Sequence, residues 1–210
     1  MINKIAKSVE ELCQHDSSGH DWWHVYRVAN LAKAIGQKEG ADLHLIELAA
    51  LLHDVDDWKL STNSHESLPN ARKLLAENGV SYELTEKVIQ IINEVSFKGA
   101  GVETKPTSIE AMAVQDADRL DAIGAIGIAR TFAYGGYKNQ PMHIPDLKPN
   151  LHNNFEEYKK ARTSTINHFY EKLLLLKDRL NTNTAKEIAV QRHLFMEQFL
   201  EQFYAEWNLE

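Results

Sequence analysis

The sequence predicts an all-α fold, a compact bundle of about eight helices. Apolar residues recur every three or four positions along most of the 210 residues, which places them on one face of a helix. No segment alternates apolar and polar residues between hairpin turns, so no β-strand is predicted. Residues that cap helices precede four of the periodic segments, at Asp21, Asp42, Ser81 and Ser108.

The third predicted helix is apolar on nearly all sides, so we expect it to lie at the centre of the bundle. Turn-forming residues such as Gly40 and Gly79 separate several of the helices. The predicted helices cover residues 1–15, 22–39, 43–54, 63–77, 82–95, 109–121, 154–180 and 184–207. After a bend near Gly124 and Gly127 the sixth helix is expected to continue to about Phe132, and the Gly135-Gly136 pair is expected to end it.

Composition predicts one domain over residues 1–210, with the C-terminal helices at about 154–207 packing onto the core. Hydrophobic residues make up 43% of the chain, and no apolar run approaches the roughly 20 residues that span a bilayer. The N-terminus has no signal-peptide pattern, and a single cysteine, Cys13, excludes a disulfide framework. These features predict a cytoplasmic protein without a membrane partner. The net charge of -7 argues against binding to duplex nucleic acid.

One stretch carries unusual chemistry, because the apolar third helix ends abruptly in His53-Asp54. An unpaired buried carboxylate costs several kcal/mol, so a charge at this place needs a compensating partner. A divalent cation is one such partner. Taken alone, the pair is also typical of an ordinary helix C-terminus, where histidine interacts favourably with the helix dipole.

Two other segments supply residues that could complete a metal site. His24 lies on or next to the apolar face of the second helix, and another apolar helix ends in the carboxylates Asp118 and Asp121. Two imidazoles and two carboxylates without sulfur suit an octahedral Mn, Fe, Co, Ni or Mg ion. Such an ion lowers the pKa of bound water and polarises a phosphoryl oxygen.

The order His24, His53-Asp54 and Asp118 resembles the HD-domain metal-dependent phosphohydrolases, which are all-α and hold a divalent metal with an H…HD…D signature. A bare His-Asp pair is uninformative, as His20-Asp21 shows, but the ordered set in helical contexts is specific. Similarity to the small single-domain bacterial members runs from about residue 20 to 135 and extends toward the end of the chain. The matching segments are Trp23-His24-Val25-Tyr26-Arg27-Val28, Leu51-Leu52-His53-Asp54-Val55 and Asp116-Ala117-Asp118-Arg119-Leu120-Asp121-Ala122-Ile123-Gly124.

The resemblance implies a single divalent metal ion in the centre of the fold, Mn²⁺ in the first place and Mg²⁺, Co²⁺, Ni²⁺ or Fe in the second. Its ligands would be His24, His53, Asp54 and Asp118. The Ala-Asp-Arg-Leu context favours Asp118 over Asp121 as the last ligand, and Asp121 stays an alternative.

The resemblance also suggests residues that act on the substrate. Asp57 lies one turn past Asp54, where several family members place an acidic residue near the attacked phosphate, so it is the candidate general base or acid. Phosphate requires positive charge, and the candidates for substrate binding are Arg27, Lys98 and Arg119. Arg119 could instead hold a carboxylate in place.

Other polar residues receive less direct roles. His65 is the only histidine between the His-Asp pair and the last aspartate, which favours one metal over two. Glu94 could contact a water on the metal. Asp56, Asp116 and Asp121 are expected to be helix caps or ion-pair partners.

The resemblance implies a hydrolase acting on a nucleotide or another small phosphate ester, as a monomer or homodimer. Within the family's range of reactions, similarity to a small stand-alone member favours pyrophosphate release from a (deoxy)nucleoside triphosphate, and phosphate release from a nucleoside monophosphate is the alternative. A non-catalytic nucleotide- or metal-binding module is a rival from another class, because a fold can outlive its chemistry. A di-iron oxygenase would need more histidine ligands than the chain supplies between Asp54 and Asp118.

Overall fold

The computed structural model describes residues 1–13, 19, 21–56, 67–95, 104–150 and 163–210. Within these ranges there are nine α-helices, two short 3-10 helices and no strand, which confirms the all-α prediction. The α-helices are α1 (Ile2–Cys13), α2 (Trp22–Glu39), α3 (Leu43–Leu52), α4 (Pro69–Glu77), α5 (Tyr82–Val95), α6 (Ile109–Asp121), α7 (Gly124–Tyr137), α8 (Thr165–Glu171) and α9 (Asn183–Asn208). The 3-10 helices are Leu173–Leu175 and Lys177–Arg179.

The predicted caps fix the ends of the helices that carry the site. The Asp21 carboxylate accepts a hydrogen bond from the His24 amide at 3.0 Å, which starts α2. Gly40 ends α2 at a φ of 74°, where a side chain would be strained. Asp42 accepts from the amides of His44 and Leu45 and starts α3.

The glycine pair in α7 does not end that helix, which continues to Tyr137. A Cβ on Gly135 would collide with the Thr165 hydroxyl, so this glycine lets α7 approach the start of α8 closely. The prediction that Gly135-Gly136 stops the helix is therefore wrong by one residue, because the packing of α7 against α8 explains Gly135.

One long helix over 154–180 is also wrong for the part that the structure describes. Ser164 is extended and its hydroxyl accepts from the Asn167 amide at 3.1 Å, so a helix begins at Thr165. Lys172 interrupts the helix with a φ of -141°. Leu173 and Leu176 then bury their side chains at the three-residue spacing of a 3-10 segment.

The described residues form two compact units, and each is considered by itself. The first contains those up to Val95 and Thr104–Asp118. Its centre is α3, which packs against α1, α2 and α5 and buries six of its ten residues. Burying a leucine such as Leu52 contributes about 1.5–3 kcal/mol. A Cβ on Gly36 of α2 would collide with Ile46, so this glycine allows α2 to lie close against α3.

The second unit contains the described residues from Arg119 onward. Its helices α7, α8 and α9 meet through aromatic rings, and Phe169 and Phe199 stack with centroids 5.6 Å apart. Phe132 packs edge-on against Phe199. In the part of the chain that the structure describes, no helix is long and apolar enough to cross a bilayer.

Candidate metal centre

His24 enters the core of the first unit from α2. Its side chain is fully buried, and its backbone is held by the Asp21 cap one turn earlier. Its Nε2 atom faces the C-terminal end of α3. A buried imidazole needs polar partners, and three of them meet this nitrogen.

His53 follows directly after α3 and is also buried. Its Nδ1 atom lies 2.7 Å from the carbonyl oxygen of Ala50. Because a carbonyl only accepts hydrogen bonds, Nδ1 carries the proton and the Nε2 lone pair points away from the helix. That lone pair faces the Nε2 atom of His24 at 3.3 Å. Sequence reasoning missed the role of Ala50, although a histidine three residues after a helical carbonyl could have indicated it.

Asp54 bridges the two histidines. Its Oδ2 atom lies 3.2 Å from Nε2 of His24, and its Oδ1 atom lies 3.4 Å from Nε2 of His53. The carboxylate therefore lies beside both ring nitrogens, and each nitrogen faces a different carboxylate oxygen.

Asp118 of α6 closes the group from another side. Its Oδ1 atom lies 3.5 Å from Nε2 of His24 and 3.9 Å from Nε2 of His53. The Asp118 side chain is 28% exposed to solvent, more than any of the other three side chains, so solvent reaches the group at this point.

These four side chains are suited to hold one cation. Ligand atoms at bonds of about 2.0–2.2 Å stand roughly 3–3.5 Å apart, and the separations given above run from 3.2 to 3.9 Å. One donor atom each from His24, His53 and Asp118 lies within 4.8 Å of the others. Asp54 is not a member of this set of three. Since its carboxylate contacts both histidines directly, we regard it as a fourth candidate ligand.

Asp121, the sequence alternative to Asp118, has a different contact. Its Oδ2 atom accepts a hydrogen bond from Nη1 of Arg130 at 2.9 Å, and both side chains are largely buried. This ion pair engages the carboxylate within the second unit, in agreement with the expectation of an ion-pair partner.

The candidate substrate and proton-transfer residues are placed to different degrees. Arg27 is half-buried on α2, one turn after His24. Nη1 of Arg119 donates to the carbonyl oxygen of Arg179, and the side chain is buried. Asp57 and Lys98 lie outside the described residues, so their roles stay predictions.

Glu94 is engaged by the segment that leads into α6. Its carboxylate accepts from the amide and the hydroxyl of Thr107, both at 2.8 Å, and from Gln90 at 3.3 Å. Gln115, which is fully buried on α6, donates to the Glu94 carbonyl oxygen at 2.6 Å. These bonds tie α6, and hence Asp118, to the end of α5.

The chain is similar to several known proteins. The family model described as HD domain matches residues 22–123, which include all four candidate ligands. The uncharacterized protein YpgQ of Bacillus subtilis (strain 168) is 46% identical over 200 residues, which are 95% of this chain and 90% of that protein.

Solved structures show the same fold. A Lactobacillus plantarum protein has a TM-score of 0.90 at 38% identity, over 100% of this chain and 97% of that chain. An HD-superfamily hydrolase from Bacillus thuringiensis has a TM-score of 0.75 at 44% identity, over 100% and 97%. YpgQ in complex with ADP has a TM-score of 0.77 at 39% identity, over 98% and 97%. With relatives of this identity over nearly its full length, the chain belongs to the HD-domain family.

Proposed function

We propose that the protein is a metal-dependent phosphohydrolase acting on nucleotides. The observation that carries the proposal is the buried pair of imidazoles flanked by two carboxylates, with donor separations of 3.2–3.9 Å. Family membership and structural relatives named HD-superfamily hydrolases support a hydrolytic reaction.

His24, His53, Asp54 and Asp118 would hold the ion. Mixed nitrogen and oxygen donors without sulfur suit Mn, Fe, Co, Ni or Mg, and Mn²⁺ is our first choice, as the resemblance implies. When bound, a divalent ion supplies an acidic water and a positive charge beside the phosphate. The Ala50 carbonyl keeps His53 in the tautomer that offers its Nε2 lone pair. The exposed edge of Asp118 leaves a side on which a substrate could approach.

A nucleotide is the proposed substrate because YpgQ, the 46% identical relative, forms a complex with ADP. We favour (deoxy)nucleoside triphosphates, as the resemblance to small single-domain members implies. In the proposed reaction the oxygen of a water molecule bonds to the α-phosphorus, and the bond from that phosphorus to the oxygen bridging the α and β positions breaks. Pyrophosphate leaves with that bridging oxygen, and Asp57 takes the proton of the water. Arg27, Lys98 and Arg119 are the proposed contacts to the phosphate charge.

The test is a panel of nucleoside tri-, di- and monophosphates incubated with Mn²⁺, Mg²⁺, Co²⁺ or Ni²⁺, with the products separated by chromatography. We expect a nucleoside monophosphate and pyrophosphate from triphosphates, and no hydrolysis after chelation. His53→Ala and Asp54→Ala should abolish turnover. His44→Ala changes an exposed histidine in the first turn of α3; it is the matched control and should remain active.

Other outcomes would contradict parts of the proposal. Hydrolysis that continues unchanged without metal and in His53→Ala would exclude the metal mechanism. Orthophosphate as the sole product, released from monophosphates, would replace the triphosphate reaction by a nucleotidase. Tight nucleotide binding without turnover under every metal would instead favour a binding module.

A further inference from the structure

Helix α4 begins without a cap of its own. Leu68 stands at the N-cap position with a φ of 43° and no side-chain hydrogen bond to the helix. Pro69 follows at the first helical position and lacks an N–H group. The first amides that need an acceptor are therefore those of Asn70 and Ala71.

Asp56 supplies that acceptor from another part of the chain. Its Oδ1 atom accepts from the Asn70 amide at 3.1 Å and from the Asn70 side-chain amide at 2.8 Å. Its Oδ2 atom accepts from the Ala71 amide at 2.9 Å. The carboxylate is almost fully buried, and its negative charge meets the positive end of the helix dipole.

The cap joins α4 to the turn that carries two candidate metal ligands. Residues 53–56 form this turn, and Asp56 lies two residues after Asp54. At the start of the turn, the Val55 amide donates to the Leu52 carbonyl oxygen at 3.2 Å. At its end, Asp56 is bound to α4, which packs against α1 and α5 in the first unit. Hydrogen bonds therefore hold the turn at both ends.

We propose that Asp56 is a positioning residue of the metal centre, and that its bonds to α4 hold the turn so that Asp54 stays beside His24 and His53. This inference depends on the proposed function, because it assumes that the four side chains hold a cation. Residues that fix ligands from outside commonly change metal affinity by about 10–100-fold when they are replaced.

The test measures Mn²⁺ binding directly, by titration calorimetry or by the loss of the free-ion EPR spectrum, with metal alone and no nucleotide. In Asp56→Ala we expect the Kd for Mn²⁺, calculated for the concentration of folded protein, to rise about 10–100-fold. Asp56→Asn keeps the Oδ1 acceptor but loses the acceptor for Ala71, so its Kd should lie between those of the wild type and Asp56→Ala. Asp56→Asn also replaces Asp56→Ala in the test if Asp56→Ala does not fold.

Asp42→Ala is the matched control, because Asp42 also caps two backbone amides, at the opposite end of α3. It should lower Tm but leave the Kd for Mn²⁺ within about threefold of the wild type. If Asp56→Ala, or Asp56→Asn in its place, lowers Tm as Asp42→Ala does while its Kd stays within that range, Asp56 is only a helix cap and the inference is wrong. If the wild type binds no metal, the proposed function fails first and the inference with it.

Discussion

The Nε2 atoms of His24 and His53 face each other at 3.3 Å inside the core of the first unit. The Ala50 carbonyl holds the ring proton of His53 on Nδ1, so its Nε2 atom presents a lone pair. Nε2 of His24 can face that lone pair so closely only if it carries a proton or if a cation lies between the two nitrogens. The carboxylates of Asp54 and Asp118 beside them favour a cation.

Mn²⁺ is expected to raise the Tm of the wild-type protein. A ligand that binds only the native state stabilises it by about 2.7 kcal/mol at 100 times its Kd. His53→Ala should lose this rise, because it removes a nitrogen donor. His44→Ala should keep it. Thermal unfolding with Mn²⁺ and with a chelator measures the effect, and an equal rise in His53→Ala would contradict the assignment.

Asp118→Asn and Asp121→Asn should separate metal binding from folding. We expect Asp118→Asn to weaken Mn²⁺ binding more than tenfold with little loss of stability, because its side chain is partly exposed. Asp121→Asn weakens the ion pair with the partly buried side chain of Arg130, so it should lower the free energy of unfolding by about 1–3 kcal/mol. Calorimetric titration and urea unfolding give the two readouts. Weaker metal binding in Asp121→Asn alone would reverse the choice of the last ligand.

Two glycines of α7 should respond in opposite ways to alanine. A Cβ on Gly127 would collide with the backbone carbonyl oxygen of Ala122, so Gly127→Ala is expected to destabilise the protein by about 1–3 kcal/mol. A Cβ on Gly136 meets no atom within 4 Å, and Gly136→Ala should stabilise the helix by about 0.4–1 kcal/mol. Urea unfolding of both variants tests this, and equal effects would contradict it.

Tyr170 should make stability fall at alkaline pH. Burial, together with a hydrogen bond to the Tyr204 side chain, raises the pKa of Tyr170 from 10.0 to about 12. Below pH 10 the folded and unfolded chains both hold the proton, so the contribution is fully present. As pH rises from about 10 to 12 the unfolded chain loses the proton first, and the contribution is lost.

Tyr170→Phe removes this titration, so its Tm should fall less steeply than that of the wild type over the same pH range. Tyr82→Phe is the control, because Tyr82 is exposed and should leave the slope unchanged. A wild-type slope in Tyr170→Phe would show that other groups cause the alkaline loss.

The helices that carry the candidate ligands could be predicted from sequence because their information is local. Capping residues and apolar spacing gave the bounds of α2 and α6 correctly. The breaks around α8 could not be predicted in this way. The apolar run from Leu173 to Leu176 also fits a continuous helix, and the extended backbone of Ser164 and the turn at Lys172 decide otherwise.

By itself, the sequence determined the all-α class and the order of His24, His53-Asp54 and Asp118, because periodicity, caps and an ordered motif are written in the chain. Only the tertiary structure decided how these residues meet. His24 and His53 are 29 positions apart in the sequence, and the distance between their side chains depends on the packing of α2 against α3. The cap that Asp56 provides to α4, across a separation of 14 or 15 residues, likewise depends on where the folded chain brings distant amides and carboxylates together.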